Sequence, residues 1–161
     1  MASSTTSAVE AAKQLAGQRA VNEHFSPSFT YVGIGSGSTI KYVVDAIAAQ
    51  LKAHAAPVPS IGARRRPSTL GDYGVAFVPT GYQSRQVILE AGLHPVAFDQ
   101  LPDDVVLDVA FDGADEVDDD LNCIKGGGAC LFQEKLVAQR AKKFVCVAGT
   151  SDYAQSLPNW N

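Results

Sequence analysis

Along the chain, short apolar blocks alternate between the spacing of a helix and that of a strand. Val9, Ala12, Leu15 and Ala16 recur at helical spacing and predict a helix from about Ala8 to Ala20, broken by Asn22 and Pro27. "FTYVGI" then reads as a strand. Beyond "GIGSGST", the residues Ile40, Val43, Val44, Ile47, Ala48 and Leu51 fall on one helical face, so the glycines lie between a strand and an amphipathic helix. Residues 52–74 lose all periodicity and read as an irregular connection rich in Ala, Pro, Gly and Arg. Order returns with the strand "VAFVP"; Thr80 and Gln83 then have capping-box spacing ahead of a helix from Ser84 to Ala91. "HPVAF" is a short third strand, and "VVLDVAF" has the β-branched, nearly unbroken apolar pattern of a strand buried on both faces. A helix from Cys130 to about Lys142 and a last strand, "FVCVA", complete the pattern.

Strand, glycine-rich turn and helix in repetition predict right-handed βαβ units: a Rossmann-like α/β fold, with a parallel sheet and helices on both faces. At 161 residues and 46% hydrophobic content, the chain is sized for one domain spanning residues 1–161. Ligands of such sheets bind beyond the carboxyl ends of the strands, which places both glycine-rich turns and the acidic cluster after Phe111 on one edge.

Charge and cysteine content remove several function classes. The net charge of -4 and sequence pI of 5.2 provide no general positive field for nucleic acid or an anionic membrane. The one basic run, Arg64 to Arg66 between prolines, reads as a solvated loop. Cys123, Cys130 and Cys146 show neither C-x-x-C spacing nor a nearby histidine pair, so neither a disulfide framework nor a zinc site is expected. The start lacks a secretory core and has no arginine before Arg19; with no stretch of about 20 apolar residues either, a cytoplasmic chain is the expectation.

The chemistry concentrates in two turns. "GIGSGST" places Ser36, Gly37, Ser38 and Thr39 at a helix N-terminus, where free N–H groups and the helix dipole suit a phosphate. It matches neither G-x-G-x-x-G, because Ser38 stands where glycine would, nor a Walker loop. Alone, it fits a tight structural turn equally well. In "KGGG", Lys125 precedes Gly126, Gly127 and Gly128, whose backbone amides are open to developing negative charge. Asp112 and Asp115 flank Gly113 and Ala114 at the end of the apolar strand, a placement that suits aimed acids better than packing. Asp118, Asp119 and Asp120 look like a solvated face, and their spacing from Asp112 fits no calcium loop, so no metal site is expected. Glu134 falls about two turns into a helix if that helix begins near Gly127. Two aspartates, a lysine, a glutamate and two anion-friendly turns together suit proton transfer beside a carbonyl on a phosphorylated substrate.

"GIGSGST", "VPTGYQSRQVILEAGL", "FDGADEVDDDLNCIKGGGACLFQEK" and "AKKFVCVAG", in this order, resemble ribose-5-phosphate isomerase of the A type. The resemblance implies interconversion of ribose 5-phosphate and ribulose 5-phosphate through an enediolate, in the non-oxidative pentose phosphate pathway, without metal or organic cofactor. It implies Glu134 as the general base, with Asp112, Asp115 and Lys125 handling sugar hydroxyls, ring opening and oxygen charge. Gly126 to Gly128 would supply amides, the turn from Ser36 to Thr39 would bind substrate, and Lys13 would contact phosphate. Ser36 stands where many members carry threonine, which keeps the hydroxyl. Three departures accompany the match. Residues 52–74 are longer and richer in proline and arginine than the family pattern, and Asp152 lies near the position of a second phosphate-binding lysine. The chain also ends at Asn161, whereas the family continues into a second α/β subdomain carrying much of its homo-oligomer surface. These departures keep a second expectation open, a truncated relative that binds sugar phosphate or another phosphate ligand without turnover.

Overall fold

The computed structural model describes residues 2–54, 72–149 and 152–153. Helix α1 (Ala2–His24) leads into strand β1 (Tyr31–Ile34), helix α2 (Ile40–His54), strand β2 (Ala76–Pro79) and helix α3 (Tyr82–Glu90). Strand β3 (Val109–Asp112) follows, then a small hairpin of β4 (Glu116–Val117) and β5 (Cys123–Ile124), helix α4 (Leu131–Gln139) and strand β6 (Phe144–Cys146). The main sheet has the order β2-β1-β3-β6, and every pairing in it is parallel. β4 and β5 pair antiparallel, apart from that sheet.

Two apolar layers cover the sheet, and strand periodicity divides the residues between them. Val32, Ile34, Phe77, Val109 and Phe111 project into a core shared with Val21 of α1, the buried face of α2 and Ile88 of α3. Val78 and Ala110 project the other way, onto Val137 of α4, Leu101 and Leu107. The expected helices on both faces are therefore present, with α1 to α3 on one side and α4 on the other. All six apolar positions read on the α2 face are buried.

The structure corrects several element boundaries. α1 extends well beyond residues 8–20. The cap of α3 is shifted by one residue: Ser84 Oγ accepts from Gly81 N and donates to Gly81 O, both at 3.1 Å, so Thr80 and Gln83 form no box. "HPVAF" runs beside β2, with Phe77 N donating to His94 O at 2.9 Å and Val96 N to Phe77 O at 2.8 Å, yet forms only a bridge at Pro95. Pro79, at the end of β2, has no N–H to donate to Val96 O, which would be the next bond of that ladder. "VVLDVAF" becomes a regular strand only from Val109; before it Leu107 forms a bridge to Ala141, and the Asp108 carboxylate accepts from Thr30 N at 2.8 Å and Tyr31 N at 3.3 Å. Of the irregular connection, residues 52–54 complete α2 and residues 72–74 form a turn; residues 55–71, the basic run included, lie outside the described residues.

Candidate active site

Three loops, after β1, β3 and β6, converge at the carboxyl ends of the parallel strands, and together with α1, the first turns of α3 and α4 and the β5–α4 connection they line a cavity of about 440 Å³. Its wall includes Lys13, the Ser36 to Thr39 turn, Asp112 to Asp115, Lys125, Gly126, Gly128 and Glu134. Of the residues expected to bind or act, Gly127 alone is absent from this wall. Its N–H donates to Asp115 Oδ2 at 2.8 Å, and a Cβ there would lie 2.6 Å from Asp115 Oδ1. The middle glycine thus holds an acid in place, while its two neighbours face the cavity.

Asp112 ends β3 with its side chain buried. Oδ1 accepts from Ser36 N at 3.1 Å and Gly113 N at 2.8 Å, and Oδ2 faces Lys125 Nζ at 2.9 Å. This inward turn requires glycine at position 35, where a Cβ would sit 1.8 Å from Asp112 Oδ1. Lys125, one residue after β5, also reaches Glu134 Oε2 at 3.2 Å and donates to the Gly113 carbonyl. Glu134 lies in the first turn of α4 rather than two turns in, because that helix begins at Leu131. Only 3% of Glu134 is exposed, and its Oε1 accepts from Ser36 Oγ at 2.7 Å. One ammonium and one hydroxyl therefore orient the glutamate.

The charges of the cluster are interdependent. Burial raises the Asp112 carboxyl above the usual aspartate range; Lys125 opposes that rise and the Glu134 charge adds to it. Burial acts to lower the Lys125 ammonium, but Asp112 and Glu134 outweigh it and hold Lys125 above its ordinary value. A buried carboxylate oriented by a cation and a hydroxyl, with backbone amides beside an open cavity, is equipped to move a proton and to stabilise the oxyanion formed.

Two sequence readings change here. Asp118 does not belong to a solvated face: it is buried and accepts from Asp120 N at 3.1 Å, Asn122 N at 2.8 Å and Asn122 Nδ2 at 3.0 Å, closing the β4–β5 turn. That turn fixes the strand that delivers Lys125. Gln83, read as a capping residue, lines the cavity instead. Its position just beyond the carboxyl end of β2 was the available signal. Asp152 also lines the cavity, with Oδ2 accepting from Gly149 N at 2.8 Å.

Fold and site together define a parallel α/β domain whose ligand cavity, with its buried carboxylate–ammonium cluster, opens beyond the strand ends. The chain belongs to the ribose 5-phosphate isomerase A (phosphoriboisomerase A) family, whose model matches residues 76–161. It is 49% identical over 147 residues to a ribose-5-phosphate isomerase of Candida albicans, an alignment covering 90% of this chain and 51% of that protein. Identity is also 49%, over 157 residues, to the enzyme of that name from Debaryomyces hansenii, covering 98% and 52%. The ribose 5-phosphate isomerase structure from Plasmodium falciparum matches with a TM-score of 0.72 at 26% identity, covering 90% of this chain and 53% of that one. Ribose 5-phosphate isomerase A from Neisseria gonorrhoeae matches with a TM-score of 0.70 at 31% identity, covering 92% and 55%. The chain spans about half the length of the curated relatives it matches. Among the described residues no helix is long and apolar enough to cross a membrane.

Proposed function

We propose that this chain carries the isomerising site of a ribose-5-phosphate isomerase, interconverting ribose 5-phosphate and ribulose 5-phosphate in the non-oxidative pentose phosphate pathway of the cytoplasm. The observation that carries this reading is the Ser36–Glu134–Lys125–Asp112 cluster, in which a buried carboxylate is oriented from both sides at the wall of the cavity. In the open-chain sugar, Glu134 removes the proton from C2 and returns it to C1. The C1 carbonyl becomes a hydroxyl, the C2 hydroxyl becomes a carbonyl, and the hydroxyl proton passes from O2 to O1. Lys125 and the amides of Gly126 and Gly128 stabilise the enediolate between these steps. Asp112 and Asp115 address the sugar hydroxyls and assist ring opening; the Ser36 to Thr39 turn and Lys13 take the phosphate. No metal or organic cofactor enters the scheme. A related D-ribose-5-phosphate isomerase, 31% identical with a TM-score of 0.72, has been solved in complex with phospho-erythronic acid. The carboxylate of that sugar acid resembles an enediolate in charge and planarity, which supports the same ligand class here.

The test is conversion of ribose 5-phosphate by the purified chain beside Glu134→Gln. Turnover lost in the variant supports the proposal. Binding without turnover in a folded wild-type chain would replace it with a phosphate-ligand binder that needs further sequence to catalyse.

A further inference from the structure

Lys13 reaches the cavity from α1 with its charge already matched. Its Nζ donates to Glu10 Oε1 at 2.9 Å, and Glu10 Oε2 accepts from the Tyr42 hydroxyl of α2 at 2.5 Å. Ion pairs of this i,i+3 kind on a helix surface are ordinarily loose. Here the second anchor comes from another helix, at a crossing where Gly17 lies close against the Tyr42 backbone. The Tyr42 hydroxyl, then Lys13, holds the Glu10 carboxyl below the usual glutamate range, so it is charged at neutral pH. The lysines on the cavity wall are Lys13 and Lys125, and the acids are Asp112, Asp115, Asp152 and Glu134. Asp112 and Glu134 already match Lys125. Among the described residues, Lys13 is thus the lining cation available to a ligand anion, and Glu10 occupies it.

We propose that Glu10, fixed by Tyr42, is an internal competitor for Lys13 and sets how tightly the cavity holds the phosphate end of its ligand. The inference rests on the sugar-phosphate reading of the cavity. A dianionic phosphate approaching Lys13 must share that ammonium with a carboxylate that the Tyr42 hydroxyl holds beside it. Two like-charged groups on one cation repel, so the wild-type pair holds affinity below what the turn and Lys13 alone would give. The sugar end, at Asp112, Lys125 and Glu134, is unaffected by this competition.

The experiment compares ribose 5-phosphate, inorganic phosphate and unphosphorylated ribose as ligands of the wild-type chain, Glu10→Gln, Tyr42→Phe and Lys13→Met, by calorimetric titration and, for ribose 5-phosphate, steady-state kinetics. Glu10→Gln keeps the shape and removes the charge. It is expected to tighten both phosphate ligands roughly 3- to 10-fold and to lower KM with kcat unchanged, a gain that shrinks as salt is added. Tyr42→Phe is expected to act in the same direction and less strongly, Lys13→Met in the opposite direction, and ribose is expected to respond to none of them. Weaker phosphate binding in Glu10→Gln or Tyr42→Phe would show that the pair positions Lys13 for the ligand, and would overturn the competitor role. Equal tightening of ribose would reveal a reshaped cavity and overturn it as well. Tighter inorganic phosphate in Glu10→Gln, without preference for ribose 5-phosphate over ribose in any variant, would uphold the competitor and remove the isomerase reading. Absence of phosphate binding throughout would remove both.

Discussion

Replacing Lys125 with methionine keeps most of the apolar stem and deletes the ammonium shared by two buried acids. The side chains of Asp112 and Glu134 are 4% and 3% exposed, and their facing oxygens lie 2.9 and 3.2 Å from the nitrogen that would be lost. Two like charges about 5 Å apart repel by about 3 kcal/mol at an effective dielectric constant of about 20. That figure agrees with the roughly 3–5 kcal/mol that breaking one side of a buried ion pair costs. We therefore expect Lys125→Met to lose about 3 kcal/mol near neutral pH, lowering the urea midpoint by about 1–3 M for a slope of about 1–3 kcal/mol per M. The loss has a definite pH dependence. Burial already raises Asp112, and Lys125 opposes that rise. Without Lys125 the folded state binds a proton that the unfolded state does not yet bind, so stability recovers as pH falls toward the unfolded aspartate value. Urea unfolding followed by circular dichroism at about pH 7.5 and about pH 5 reads both effects. A variant as stable as wild type near neutrality, or one whose deficit is the same at both pH values, would refute the reasoning.

Other perturbations isolate the remaining contacts. Ser36→Ala removes the hydroxyl held at 2.7 Å by Glu134; it is expected to cost about 1–2 kcal/mol in kcat with little change in KM, and an unchanged kcat would contradict the orienting role. Gly35→Ala forces a Cβ to within 1.8 Å of Asp112 Oδ1; a destabilisation of more than about 2 kcal/mol is expected in urea unfolding, and a wild-type midpoint would exclude the close approach. Burial, followed by the neighbouring Cys123 thiol, pushes Cys146 up to about 12. Iodoacetamide at mildly alkaline pH is therefore expected to label exposed Cys123 and spare Cys146, as read by peptide mass spectrometry. Comparable labelling rates would contradict that environment.

The parallel sheet was legible because its strands are apolar on both sides and end abruptly in polar residues. Phe111 to Asp112 shows that transition within one peptide bond, and it locates the site. The two turns were legible for the same reason, since glycines placed between a strand and a helix leave few other readings. What escaped the pattern depends on contacts between distant residues. The burial of Glu134 requires Ser36, 98 residues earlier, and a lysine carried on a separate hairpin. Asp118 reads as one of three equivalent surface acids until the Asn122 contacts distinguish it. Asp108 interrupts an otherwise apolar run because its carboxylate captures backbone amides at the start of β1. Glu10 carried no signal, since its partner Tyr42 stands on a different helix, 32 residues away.

The central claim is that Glu134 moves the sugar proton, and hydrogen exchange with solvent tests it most directly. Ribose 5-phosphate incubated in deuterium oxide with the wild-type chain, and separately with Glu134→Gln, would be followed by proton NMR at C1 and C2. The account expects deuterium to enter at these carbons with wild type and not with the variant, because a carboxylate holding the proton between the two steps can trade it with water. Exchange and conversion at the wild-type rate in Glu134→Gln would contradict it.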